Sequence, residues 1–185
     1  PFHTAGCRAM EREPLSSPVK PTASVPMNKT AQNKEVLMKA QLTDSSAEDQ
    51  IRALIADRIE AVRSKDVDRA MAGVAPDLLA FDVVNSLQFS GREASRARTE
   101  TWFSSFQGPI GYELHDLKVH AGDDVAFSHS LNRYSGTQAG PVEIDMWVRA
   151  TTCYRKIDST WMVTHEHQSV PFDGESGGAL LDLTP

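Results

Sequence analysis

Val142-Glu143-Ile144-Asp145-Met146-Trp147-Val148-Arg149 alternates in character from one residue to the next. A period of two marks a strand whose two faces meet different surroundings. One face carries Ile144, Met146, Val148 and Ala150, and the other carries Glu143, Asp145, Trp147 and Arg149. The same period continues on both sides. It predicts strands over about 111–121, 124–135, 142–157 and 160–170. Gly122-Asp123, Gly136 to Pro141, and Asp158-Ser159 supply the turns. Four consecutive strands with short connections make an antiparallel meander.

Upstream of Ile110 the period is helical. Ser45 and Glu48 fit a capping box, and Ile51, Leu54, Ile55, Ile59 and Val62 follow on one face of a helix to about Ser64. Asp66 is placed to cap a second, short helix carrying Val67, Ala70, Met71 and Val74, which Pro76 stops. Leu78 to Val84 is a strand. Ser90 and Glu93 open a third helix that carries Trp102, Phe103 and Phe106 and breaks at Gly108-Pro109. Helices first and a meander after them make an α+β plan. One curved, mainly antiparallel sheet around three helices would leave a pocket between sheet and helices.

Composition is that of a globular chain: 185 residues, 40% apolar and 24% charged, which excludes collagen, coiled coil and a wholly disordered chain. No apolar run reaches the roughly 18 residues of a membrane helix. Residues 46–185 carry 13 basic and 21 acidic side chains, a net −8, with no stripe of Lys or Arg. Such a domain repels phosphate backbones, so neither nucleic acid nor membrane is an expected partner. Cys7 and Cys153 form no disulfide framework and no metal-ligand spacing.

Five of the ten prolines fall in the first 26 residues, and Phe2 is the one aromatic before Ser46. Residues 1–45 are expected to be an extension, disordered or artificially added upstream of Met27, with a short helix over 34–42. Residues 46–172 form the domain, and 173–185 a flexible tail in which Gly174 to Gly178 lacks the strand-then-helix context of a phosphate loop. No secretory h-region is visible, so a cytoplasmic location is expected.

Three features carry chemistry. Asp82 stands in an otherwise apolar strand, where desolvation would bring a carboxylate towards the range of a general base; a strand-end Asp capping a turn is the alternative. Asp145 shares a face with Trp147 and Arg149, and an ion pair with Arg149 or a neighbouring strand's Arg is its alternative. His165 and His167 share a face with Trp161 and Val163, so they could shuttle protons near Asp82. They could also hold a metal ion if His129 or Asp82 supplied a third ligand, or simply hydrogen-bond between sheet and tail. Phe81, Trp102, Phe106, Tyr134 and Trp147 could wall an apolar pocket suited to a small hydrophobic or aromatic molecule, or form plain core.

Lys65-Asp66-Val67-Asp68, Ala75-Pro76-Asp77 and the ending Trp161-Met162-Val163-Thr164-His165-Glu166-His167-Gln168-Ser169-Val170-Pro171 together resemble the NTF2-like superfamily, and within it the SnoaL-like branch. The resemblance runs from about Ala47 to Pro171. It implies a cone of three helices in a curved sheet and a homodimer packed through the convex face, with Ile144, Met146, Val148 and Tyr154 as candidates for that face. Ketosteroid isomerases share this fold. Counting without gaps, their catalytic base falls on Asp82 and their helix-one Tyr on Arg58; the segment Val142 to Arg149 is similar to their strand with the protonated oxyanion-hole Asp, which falls on Asp145. The chain departs from them at that helix-one position, since Arg58 could steady a negative oxygen only as a fixed cation, or could be a surface Arg paired with Asp57 or Glu60.

These readings lead to two expectations. The first is cofactor-independent acid–base chemistry (isomerisation, cyclisation or dehydration) on a small apolar molecule. Asp82 would take a proton, and Asp145 with Arg58 or a histidine, His165 or His167, would steady the oxygen. Trp102, Tyr134, Trp147, Arg149, Phe81 and Phe106 would contact the ligand. The second is a non-catalytic ligand-binding or assembly module. No cofactor or metal is expected in either.

Overall fold

The structure is a computed structural model and describes residues 46–185; the expected helix over 34–42 and the N-terminal extension lie outside the described residues. Helix α1 spans Ala47–Ser64. Its capping box sits one residue later than expected: Ser46 Oγ accepts from the Asp49 amide at 3.1 Å, and the Asp49 carboxylate accepts from the Ser46 amide at 3.3 Å. Asp66 caps helix α2, Val67–Ala72, by accepting from the Arg69 amide.

Gly73 ends α2, and strand β1 begins at once as Val74–Phe81. Val74 and Pro76 are therefore strand residues, not the end and the stop of a helix. Proline is accommodated because the pairing of β1 with its neighbour breaks register between Val74 and Leu79, where no regular ladder needs the missing N–H. A two-residue strand β2, Phe89–Ser90, pairs antiparallel with Leu79 and Ala80. That pairing draws Ser90 out of the expected capping box. Helix α3, Arg92–Ser105, starts instead from Gly91 at φ 89°, without a side-chain cap.

The meander follows as β3 Gly111–Ala121, β4 Val125–Gln138, β5 Val142–Ile157 and β6 Thr160–Ser169. The six strands form one open sheet in the order β2-β1-β6-β5-β4-β3, antiparallel except where β1 runs parallel to β6. Asp158 and Ser159 turn β5 into β6 with φ of 48° and 65°, the twist a tight hairpin requires. The core gathers Ile51, Ile55 and Val62 of α1, Phe103 of α3, and Leu78, Val119, Ala126, Tyr154 and Val163 of the sheet.

The alternation in β5 is present, with its faces reversed from the expectation. Val148 and Ala150 are buried on the helix side, whereas Asp145 and Arg149 are exposed on the outer side. Burial of apolar area decides this, because turning the strand over would put two or three charged side chains into the core. Ile144, Met146, Val148 and Tyr154 therefore belong to the inner face, not to a convex dimer face.

Past β6 the chain turns at Asp173, whose carboxylate accepts from the amides of Glu175 and Ser176. Phe172 bridges Ala179, and Leu181 to Pro185 lie beside His115, Arg133, Asp145 and Trp147 on the outer face of the sheet.

Gly136 lies within β4 at φ 144°, and a Cβ there would meet Phe106 Cδ1 at 3.0 Å. Gly136→Ala should therefore destabilise the domain by about 1–3 kcal/mol through strain and overpacking. Urea denaturation of the two proteins, read at an unchanged slope, measures it.

Candidate functional site

A cavity of ≈ 360 Å³ lies between α1, α3 and the inner face of the sheet. Its wall follows from helix and strand periodicity. On α1, Leu54, Ile55, Arg58, Ile59 and Val62 fall on one stripe, so Arg58 is carried inward with its apolar neighbours. On α3 the stripe is Ser95, Arg98, Thr99, Trp102, Phe103 and Phe106. Strand β4 contributes Ser128, Ser130, Asn132 and Tyr134, a polar row on an otherwise apolar floor.

Strand β6 holds the main departure from the sequence reading. Cys153 pairs with His165 and Tyr154 with Val163, so Thr164 is an extra residue in β6, a β-bulge. Upstream of it Trp161 and Val163 face the core. Downstream the phase is inverted, and Glu166 and Gln168 line the cavity. His165 and His167 consequently face outward against Phe81, with ring centroids 4.9 and 5.7 Å from it. His165 Nδ1 donates to the Leu79 carbonyl at 2.8 Å. Neither histidine shares a face with Asp82, which removes the proton-shuttle role. It also removes Asp82 as a third metal ligand. Among the described residues no three His, Cys, Asp or Glu side chains are grouped to hold a metal ion. Phe81 likewise lies outside the cavity wall.

Two ion pairs stand in the wall. Arg58 grips Glu166 with both terminal nitrogens, Nη1 on Oε1 and Nη2 on Oε2 at 3.0 Å, with side chains 27% and 16% exposed. Burial alone would disfavour the guanidinium charge, but the attraction and hydrogen bonds of Glu166 outweigh it and raise the Arg58 pKa. In the second, Arg98 of α3 pairs with Asp82, which is 11% exposed. The other Asp82 oxygen accepts from the Val83 amide at 2.6 Å. Asp82 thus reaches the cavity, and an ion-paired carboxylate is the deprotonated, proton-accepting form.

Asp145 does not reach it. Its carboxylate is 57% exposed on the outer face and is bound by Arg133 of β4 through two 2.8 Å hydrogen bonds. Those bonds hold its pKa below the ordinary carboxylate value, so it is ionised and cannot serve as a neutral donor. Trp147 packs edge-on to His115 on the same outer face. Arg149, paired across the sheet with Leu131, is exposed there too.

Trp102, Tyr134 and Phe106 do line the cavity. Trp102 meets the rings of Tyr134 and Phe106 edge-on, with centroids 5.4 and 5.8 Å away. The sequence reading missed Glu166, Gln168, Arg98, Tyr112 and Asn132. Arg98 was findable, four residues before Trp102 on the same helical stripe. Asn132 was findable by its even spacing from Tyr134. Glu166 and Gln168 were hidden by the bulge, which leaves no mark in the residue pattern.

Asp145→Ala should leave ligand binding in the cavity within about twofold of wild type, as checked by calorimetric titration. Glu166→Ala should cost about 2–4 kcal/mol of stability in thermal or urea unfolding, because it strands the Arg58 charge in a largely buried place.

The profile of the SnoaL-like domain matches residues 51–173. An NTF2-like protein of unknown function from Pseudomonas putida KT2440 is 41% identical, with a TM-score of 0.69 over 75% of this chain and 96% of that one. A ketosteroid isomerase-like protein from Erwinia carotovora atroseptica SCRI1043 (17% identity, TM-score 0.58, covering 68% and 96%) shares the fold. So does the CaMKII hub of S. rosetta (17% identity, TM-score 0.56, covering 68% and 97%). No curated protein matches significantly. Among the described residues no helix is long and apolar enough to cross a membrane. The match over most of the described domain and the shared sheet and helices establish that the chain belongs to the SnoaL-like family of NTF2-like proteins.

Proposed function

We propose that the chain binds a small, mainly apolar molecule in this cavity and performs acid–base chemistry on it without a cofactor, with Asp82 as the proton acceptor. The observation that carries the reading is a carboxylate, Asp82, in the wall of a cavity that mixes apolar side chains with polar ones. Its volume falls within the range of small-molecule sites, about 300–1,000 Å³. Apolar side chains orient the ligand body, and the polar groups beside them select what reacts. Arg98 holds the carboxylate in place, as a base must be held within reach of the proton it removes. Arg58 is too firmly engaged with Glu166 to bind substrate directly, and its charge is neutralised there.

A second reading has its own support. Both carboxylates of the wall are already paired with arginines, which is also what a rigid binding module would show. In either reading a second copy would pack against the outer face of the sheet, through exposed Val125 and Phe127 of β4 rather than through Trp147, which Leu181 to Pro185 lie beside, or through the inner residues of β5.

Exchange of the α-protons of 1-tetralone, a compact cyclic ketone, separates the two. Followed by NMR in D₂O, wild type should exchange them faster than buffer, and Asp82→Asn should lose about 10²–10⁴-fold of that rate. No acceleration by wild type would sink the enzyme reading and leave the binding module.

A further inference from the structure

The outer face of the sheet has two halves of opposite character. One half is centred on Arg133, which is bound by Asp145 and Glu113. The segment Leu181 to Pro185 lies beside it, together with His115 and Trp147. Residues 171–185 include Asp173, Glu175 and Asp182 and no Lys, Arg or His. The tail is a built structure: Phe172 bridges Ala179, and the Leu180 amide donates to the Pro171 carbonyl at 2.9 Å. Leu181 and Leu183 nevertheless stay 47% and 46% exposed. This half therefore leaves an acidic, leucine-bearing surface open to solvent.

Phe127 stands six residues before Arg133 on β4, about 20 Å away at the rise of a strand. Here Val119, Ala126, Ser128, Ala150 and Tyr154 are buried, so the residues that alternate with them face outward. Across the strands Lys118 pairs with His129 and Thr151, and His120 with Phe127 and Cys153. Arg155 lies opposite Val125. Val125 and Phe127 are 56% and 45% exposed, and the His120 ring stacks on Phe127 at 4.8 Å. None of these outward positions is Asp or Glu, although the domain as a whole is acidic. The acids nearest in sequence stand in the irregular part of β3 (Asp116) and in the turns at the strand ends (Asp123, Asp124 and Asp158). Among the described residues no ion pair engages Lys118, Arg149 or Arg155.

The two halves complement each other: apolar area beside negative charge on one, apolar area beside positive charge on the other. A second copy turned over about a two-fold axis running across the strands sets the tail-bearing half of each copy against the cationic half of the other. Both contacts then form at once and the assembly closes on itself. We propose that the tail of one copy docks on the cationic half of the outer face of a second copy, with Leu181 and Leu183 against Val125 and Phe127 and with Asp182 towards Lys118 and Arg155. This rests on the reading that a second copy packs against the outer face, and deepens it by naming the segment presented there and the charges that receive it.

Sedimentation equilibrium tests it on four proteins: wild type, a chain lacking residues 174–185, the double variant Lys118→Glu with Arg155→Glu, and Phe127→Glu. Wild type should dimerise at micromolar concentration, and less tightly at high salt. Tail removal and the double charge reversal should each weaken the dimer about tenfold or more, and Phe127→Glu should abolish it. The tail-less chain keeps an intact face and the charge-reversed chain keeps an intact tail. Mixed together, they should bind each other more tightly than either binds itself. A tail-less chain that dimerises as tightly as wild type while Phe127→Glu is monomeric would overturn the tail assignment and leave the face as the interface. A mixture with no added affinity would overturn the docking of one copy's tail on the other. A monomeric wild type, or a Phe127→Glu dimer as tight as wild type, would overturn the second copy on this face and the tail assignment with it. Asp182→Lys, an exposed substitution, should also weaken the dimer and makes the same test if the shortened chain folds poorly.

Discussion

The extra residue at Thr164 determines what the cavity contains. A strand carries its side chains alternately to opposite faces, and inserting one residue exchanges the two sets beyond it. Without the bulge, continued alternation from Trp161 and Val163 would send His165 and His167 into the cavity and turn Glu166 and Gln168 outward. With it, Glu166 comes under Arg58 and Gln168 under Tyr134. Helix α1 is then tied to the middle of the sheet by a two-pronged ion pair, and β6 is tied to the Tyr134 hydroxyl of β4. The same inversion hands the histidines to the outer face, where His165 ties β6 to β1 through the Leu79 carbonyl.

Charges inside a small cavity have to be reconciled with the loss of water around them. Here that is done by pairing each arginine with one carboxylate from a different element: Arg58 of α1 with Glu166 of β6, and Arg98 of α3 with Asp82 beyond the end of β1. Such pairs contribute little net stability compared with apolar side chains of the same volume. What they supply is placement. Each fixes the distance between a helix and the sheet, and together they keep the wall neutral, so that an uncharged ligand meets no net field on entering. The polar row of β4 follows the same logic at smaller scale, with Ser130, Asn132 and Tyr112 linked in one chain.

The fold was largely legible in the sequence because its periodic signals are long. The four strands of the meander are bounded by turn residues that few other structures tolerate, and α1 and α3 carry continuous apolar stripes. Legibility failed where a local rule lost to pairing. Ser90 has the spacing of a helix cap, yet the backbone uses it for β2. Pro76 stops helices, yet Gly73 had already ended α2. Of the expected site residues, Trp102 and Tyr134 line the cavity from regular elements whose inner face is readable, Asp82 and Phe106 from just beyond the ends of β1 and α3, and Arg58, which only the family resemblance singles out, from the inner stripe of α1. Asp145 faces away from the cavity because burial of the apolar face of β5, not the chemistry of its polar face, decides which side turns inward. The histidines were misplaced because a bulge has no composition.

The parallel contact between β1 and β6 joins the first strand of the domain to its last, in the interior of the sheet. On a ribosome the helices and β1 emerge early, with Leu78 and the inner stripe of α1 exposed. Their central partner is made only when Ser169 has left the exit tunnel. The antiparallel hairpins can zip locally as they appear, but the sheet cannot be completed vectorially. The waiting N-terminal half is then an apolar surface of the kind that chaperones hold, and its pairing with a late, distant strand is the kind of non-local contact that slows folding.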